Sequence, residues 1–146
     1  MAEWDLNLIN SKYHLSIAKR MFNSFYDFRE KRFLIGVINE LAGSSSNLIK
    51  AYLIYENSFG RREKKNLDIF IKKVGPIYLD LENLRNILKA LEIQKAQKDS
   101  KIEFAKGDKI ILLVNGKYRF LTSERLKEFI DSVELGINKF PTHIKR

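Results

Sequence analysis

The chain of 146 residues contains no cysteine. That absence removes disulfides, thiolate nucleophiles, cysteine-ligated zinc and iron–sulfur clusters together, and with them any disulfide-stapled secreted fold. There are two prolines and two histidines. His14 and His143 have neither a second histidine nor a carboxylate three or four residues further on, so one helix cannot present two metal ligands. No metal site and no cofactor are expected. No apolar run approaches the roughly 18 residues that a membrane span requires. Met1-Ala2-Glu3-Trp4-Asp5 lacks both the basic and the apolar parts of a signal peptide. The expectation is a cytoplasmic protein with no membrane partner.

Nucleotide motifs are missing as well. A P-loop needs Gly-Lys followed by Ser or Thr, and the chain's Gly116-Lys117 is followed by Tyr118. The glycine pattern of dinucleotide-binding folds is absent. Glu124, Glu128, Asp131 and Glu134 alternate with Arg125 and Lys127 as a solvated helix face does. No residue set presents itself as catalytic, and a non-catalytic role is the expectation.

What is present suffices for a core. The apolar fraction is 45%, with ten Phe, six Tyr and one Trp, at a length typical of one domain, here 1–146. The net charge is +9, and it is unevenly placed: residues 1–57 carry seven Lys and Arg against six Asp and Glu, whereas 58–146 carry twenty against twelve. A basic half of this kind attracts phosphate polymers or an acidic partner.

Apolar spacing predicts a helix over 11–28, with Tyr13, Ile17 and Met21 in one row, Leu15, Ala18, Phe22 and Phe25 in another, and Asn10 or Ser11 as N-cap. A second helix over 32–57 carries two adjacent apolar rows, led by Phe33 and Leu34. A stripe this broad implies a central position in a bundle or burial by a second subunit, and a homodimer through 32–57 is expected. Its small-residue stretch Ala42-Gly43-Ser44-Ser45-Ser46 suits close helix–helix contact. After Ser58-Phe59-Gly60 a short helix places Leu67, Phe70, Ile71 and Val74 inward and stops at Gly75-Pro76. A further helix over 79–97 follows, with Leu81, Leu84, Leu88 and Leu91 on its stripe and Ile77 and Ile87 beside it. The period then changes to two. Asn115-Gly116 between apolar runs is a hairpin signal, and the stretch from Ile102 leaves room for a third strand. Thr122 or Ser123 caps a last helix whose Leu126, Phe129, Ile130, Val133 and Ile137 form one face, with Gly136 and Pro141 ending it. The fold class is mainly α: an antiparallel bundle of about five helices with a small C-terminal β-hairpin packed on it, 10–97 forming the bundle and 101–138 the hairpin and closing helix.

The run Arg61-Arg62-Glu63-Lys64-Lys65, followed by Lys72-Lys73, concentrates positive charge on one short helix. Clusters of this kind contact phosphates. Lys106, Lys109, Lys117 and Arg119 around the hairpin extend the set, with Tyr118 available to stack. The candidate nucleic-acid contacts are Arg61, Arg62, Lys64, Lys65, Lys72, Lys73, Lys117 and Arg119. The alternative to RNA or another polyanion is a protein partner, the chain serving as an antitoxin-like or accessory subunit of a two-gene system.

Ser16-Ile17-Ala18, Ala42-Gly43 and Asn47-Leu48-Ile49-Lys50-Ala51-Tyr52-Leu53 together resemble the HEPN superfamily over residues 10–97. The whole layout, with hairpin and closing helix, is similar to archaeal proteins in which a HEPN-like bundle carries that same appendage and to which no activity is assigned. The resemblance implies the bundle and a homodimer. HEPN ribonucleases carry Arg, then four to six intervening residues, then His on one helix. Here only Lys12 is basic before His14, and Asn138, Ile137 and Gly136 stand five to seven residues before His143. The resemblance therefore implies a bundle without the nuclease motif.

Overall fold

The structure, a computed structural model, describes residues 2–99, 102–106, 109–114 and 116–141. Two long helices, α1 (Glu3–Phe28) and α2 (Lys31–Tyr55), form an antiparallel hairpin. The corner between them is Arg29-Glu30, with Arg29 left-handed at φ 54° and its N–H donating to the Phe25 carbonyl. Then come α3 (Glu63–Ile69), a π-helical turn (Phe70–Val74), α4 (Gly75–Tyr78) and α5 (Leu81–Asp99). From Glu63 to Tyr78 the chain stays helical, so among the described residues the bundle has five rods, the last being α6 (Ser123–Asn138). Between α5 and α6 lies a three-stranded antiparallel meander, β1 (Ile102–Lys106), β2 (Lys109–Val114) and β3 (Lys117–Thr122), in spatial order β1-β2-β3. The expected mainly helical bundle with a small sheet on it is what the chain forms; β1 widens the hairpin, and Asn115 of its turn lies outside the described residues.

One core joins helices and sheet. Leu15, Phe22, Phe25, Leu34, Val37, Leu41, Leu48, Tyr52, Phe70, Ile87, Ile110, Leu121, Phe129 and Val133 belong to a single buried cluster. Both rows of α2 are consumed inside the chain, Val37, Leu41, Leu48 and Ala51 buried and Phe33 and Tyr55 partly buried in one, Leu34, Ile38, Ala42, Ile49 and Tyr52 buried in the other. The broad apolar arc thus reflects a central helix. Ser11 and Ser44 are fully buried where α1 crosses α2, and each hydroxyl donates to the other's carbonyl, at 2.8 and 2.7 Å. The small-residue stretch is an interhelical contact, and α2 runs through it without breaking.

Several local expectations are corrected. Helix α1 begins at Glu3, where the Asp5 carboxylate accepts from the Ala2 N–H at 2.8 Å, so neither Asn10 nor Ser11 is a cap. Tyr13 stands exposed on the outer side of α1 while the Leu15 row is buried. The Gly75-Pro76 pair does not stop the third rod. Proline has no N–H and clashes with the carbonyl four residues back. The π turn meets this locally, with the Gly75 N–H donating to the Phe70 carbonyl five residues earlier. A side chain on Gly75 would lie 2.8 Å from that carbonyl oxygen, so the turn requires glycine there. Ile71 of the π turn and Ile77 of α4 are exposed, and on the following rod Leu84 and Ile87 are buried while Leu81 is not. Thr122 does cap α6, its Oγ1 accepting from the Arg125 N–H at 3.1 Å, and the predicted face of α6 is buried throughout. Gly136, expected as a stop, lies within α6.

Candidate nucleic-acid interface

The connector between α2 and α3 is a built loop. Asn57 turns the chain at φ 54°, and the Ser58 N–H donates back to the Leu53 carbonyl at 2.8 Å. Asn66, nearly buried on α3, holds Gly60 from both sides: its Nδ2 donates to the Gly60 carbonyl at 2.8 Å and its Oδ1 accepts from the Gly60 N–H at 2.9 Å. This clamp fixes the chain at Gly60, directly after Phe59, which remains 46% exposed. The Tyr78 hydroxyl donates to Glu56 at 2.6 Å and occupies the acid at the start of the connector. Burial, reinforced by that carboxylate, raises the Tyr78 phenol above its ordinary range and keeps it a donor.

Two adjoining clefts flank the clamp and share Phe59, Gly60, Arg61 and Asn66. The first, of about 320 Å³, adds Lys50 and Glu63 above Leu53, Leu67 and Leu91. The second, of about 410 Å³, adds Arg62 and Lys65. Lys50, Arg61, Arg62, Lys64 and Lys65 are all exposed. Among the described residues, none of the five lies within 4 Å of a carboxylate, although pairs such as Lys127–Asp131, Lys89–Glu92 and Arg125–Glu128 form on other helix faces. Exposed charges interact over about 8 Å at physiological salt. Unpaired cations around a half-exposed ring therefore give a local positive field facing an apolar surface.

The eight candidate residues are not one patch. Arg61, Arg62 and Lys65 line the connector clefts, whereas Lys64 is exposed on α3 outside both. Lys72 pairs with Asp68 at 3.0 Å, and Lys73 is exposed on the π turn outside both clefts. Lys117 and Arg119 are exposed on β3, and Arg119 lines a separate groove with Lys89, Ile93, Ala96 and Arg125. At about 100° per helical residue, Lys89, Ile93 and Ala96 lie on the side of α5 opposite Leu91, which borders the connector cleft. Helix α5 thus stands between the two basic groups. Lys50 and Phe59 escaped the sequence reading. Lys50 is isolated among apolar neighbours in α2, and only the return of the chain over the C-terminal end of that helix brings it to Arg61.

No family model matches the chain, and neither a curated protein nor a solved structure is significantly similar to it. Among the described residues no group of three or more His, Asp or Glu could hold a metal, and no helix is long and apolar enough to cross a membrane. His14 is half-buried, its Nδ1 2.6 Å from Glu40 Oε2 on α2. The bond joins α1 to α2. His143 lies outside the described residues.

Proposed function

We propose that this protein is a non-catalytic binding module, a HEPN-like bundle that contacts RNA or another polyanion through the α2–α3 connector. The observation that carries the reading is the set of four cations, Lys50, Arg61, Arg62 and Lys65, unpaired among the described residues and lining the two clefts that meet at the half-exposed Phe59. Cations tracking a phosphate chain beside an aromatic face make a platform for single-stranded nucleic acid, because every base has a face that can stack. With four phosphates neutralised on a single strand, log K falls with log salt at a slope of about −3, or about 50-fold between 50 and 200 mM salt. Fluorescence anisotropy on mixed single-stranded RNA measures this. Reversing Arg61, Arg62, Lys64 and Lys65 to Glu abolishes binding if the reading holds; binding that is independent of salt, or untouched by the reversal, overturns it.

A protein partner is the second reading, and a specific surface favours it. Leu6, Ile9 and Tyr13 recur at i, i+3, i+7 on the outer face of α1, each at least half exposed. Self-association through 32–57 loses its motive because α2 is buried within one chain, so this stripe is the surface we assign to a homodimer or an accessory-subunit contact. Leu6→Glu with Ile9→Glu would then abolish the association seen by light scattering.

A further inference from the structure

β3 is an edge strand: among the described residues it hydrogen-bonds to β2 alone, in the register Lys109↔Thr122 to Val114↔Lys117. Natural sheets blunt such edges with charge, proline, bulges or a covering element. Here Tyr118 and Phe120 are 61% and 67% exposed. Strand periodicity puts them on one face and Lys117 and Arg119 on the other. Neither cation has a carboxylate within 4 Å among the described residues, unlike Lys89, which pairs with Glu92, and Arg125, which pairs with Glu128. Beside Arg119 the groove between the sheet, α5 and α6, of about 280 Å³, is floored by Leu112, Leu121 and Phe129.

We propose that β3 is a docking edge for an extended acidic segment of a partner protein, which adds as a fourth strand. Strand addition draws its affinity from main-chain hydrogen bonds and its specificity from alternate side chains. A segment alternating acidic and apolar residues matches β3 on both faces, acids toward Lys117 and Arg119 and apolar side chains toward Tyr118 and Phe120. A second copy of this chain is the poorer occupant, because pairing β3 with itself gathers Lys117 and Arg119 of both copies, and like charges across strands repel. The site lies across α5 from the polyanion cleft and stands independently of it.

The probe is an acetylated, amidated peptide alternating glutamate and valine, titrated into the full chain by NMR and anisotropy. The expected result is saturable binding with slowed amide exchange along β3. The double variant Lys117→Glu, Arg119→Glu should weaken binding by at least about tenfold, a factor that corresponds to about 1.4 kcal/mol. Methylating the peptide amides along one edge should weaken it as much while leaving every charge in place. Circular dichroism of the double variant checks that these exposed positions leave the fold intact. Absence of binding overturns the proposal, as does equal binding of a lysine–valine peptide or indifference to backbone methylation. A double variant that loses RNA binding but keeps the peptide also overturns it, since Lys117 and Arg119 would then serve the nucleic acid.

Discussion

Tyr52→Phe is the sharpest test of how the bundle is closed. The Tyr52 side chain is fully buried in α2, and its hydroxyl donates to the Gly136 carbonyl at 2.6 Å. Gly136 sits in the last turn of α6, where carbonyls lack intrahelical partners. The Lys139 N–H goes to Leu135, the Phe140 N–H goes to Ile137, and residue 141 is proline. Among the described residues the phenol is therefore the donor that satisfies this carbonyl. A Cβ at Gly136 would stand 2.7 Å from Leu48 Cδ2, so glycine is what lets the two helices approach closely enough for the bond.

Phenylalanine keeps the ring and its contacts, whose centroids lie 4.8 Å from Phe140 and 5.0 Å from Tyr78. What is lost is one donor to a buried acceptor, which costs about 1–3 kcal/mol. For a chain of this size that lowers Tm by roughly 3–4 °C per kcal/mol. Urea melts followed by circular dichroism should show a lower midpoint with an unchanged slope, since no additional surface is exposed. Tyr78→Phe is the control: its acceptor, Glu56, reaches water, so the loss should stay below about 1 kcal/mol. If Tyr52→Phe costs less than about 0.5 kcal/mol, the reasoning that Tyr52 caps α6 is refuted.

Further outcomes follow from the same packing. Ser44 and Ser45 are adjacent and fully buried, but Ser44 is bonded to Ser11 while the Ser45 hydroxyl has no partner among the described residues. Ser44→Ala should cost about 1 kcal/mol and Ser45→Ala should be neutral or stabilising, a difference of sign that thermal melts can read. Burial, with a smaller contribution from Tyr78, holds the Tyr52 phenol above its ordinary range. The folded state thus keeps a proton that the unfolded state releases near pH 10, so stability is fully present below that pH and falls as pH rises beyond it. Alkaline melts should show this decline, and it should be shallower in Tyr52→Phe. Lys50→Ala should reduce the salt slope of RNA binding by about 0.7.

The elements written in strong periodicity were legible. The face of α6, the Leu15 row of α1 and the turn before β3 follow from spacing, and Thr122 caps where a hydroxyl should. Three features were hidden because a residue type carries one meaning in sequence and another in a packed fold. Ser11 resembles a cap, yet it is buried against Ser44. Gly136 resembles a stop, yet it is the point where α6 meets Leu48. Pro76 resembles a breaker, yet a π turn of five residues absorbs it. For Ser11 and Gly136 the deciding partner is distant in the chain, where no local pattern can reveal it, whereas for Pro76 the accommodation is local but has no side-chain signature.

The basic half of the chain illustrates the same limit for function. Counting charge after Gly60 suggested one surface, but net charge carries no direction, and α5 divides these residues between the connector and β3. The two groups differ in what surrounds the cations. At the connector they ring a half-exposed Phe59 on a clamped loop, a setting for phosphates and a stacked base. On β3 they alternate with Tyr118 and Phe120 along an open backbone edge, where a strand can read both the charge and the hydrogen bonds. A single polyanion spanning both groups would have to cross α5, so reversing either group should leave the other's ligand bound. Loss of both ligands from one reversal would mean that the two surfaces are energetically one.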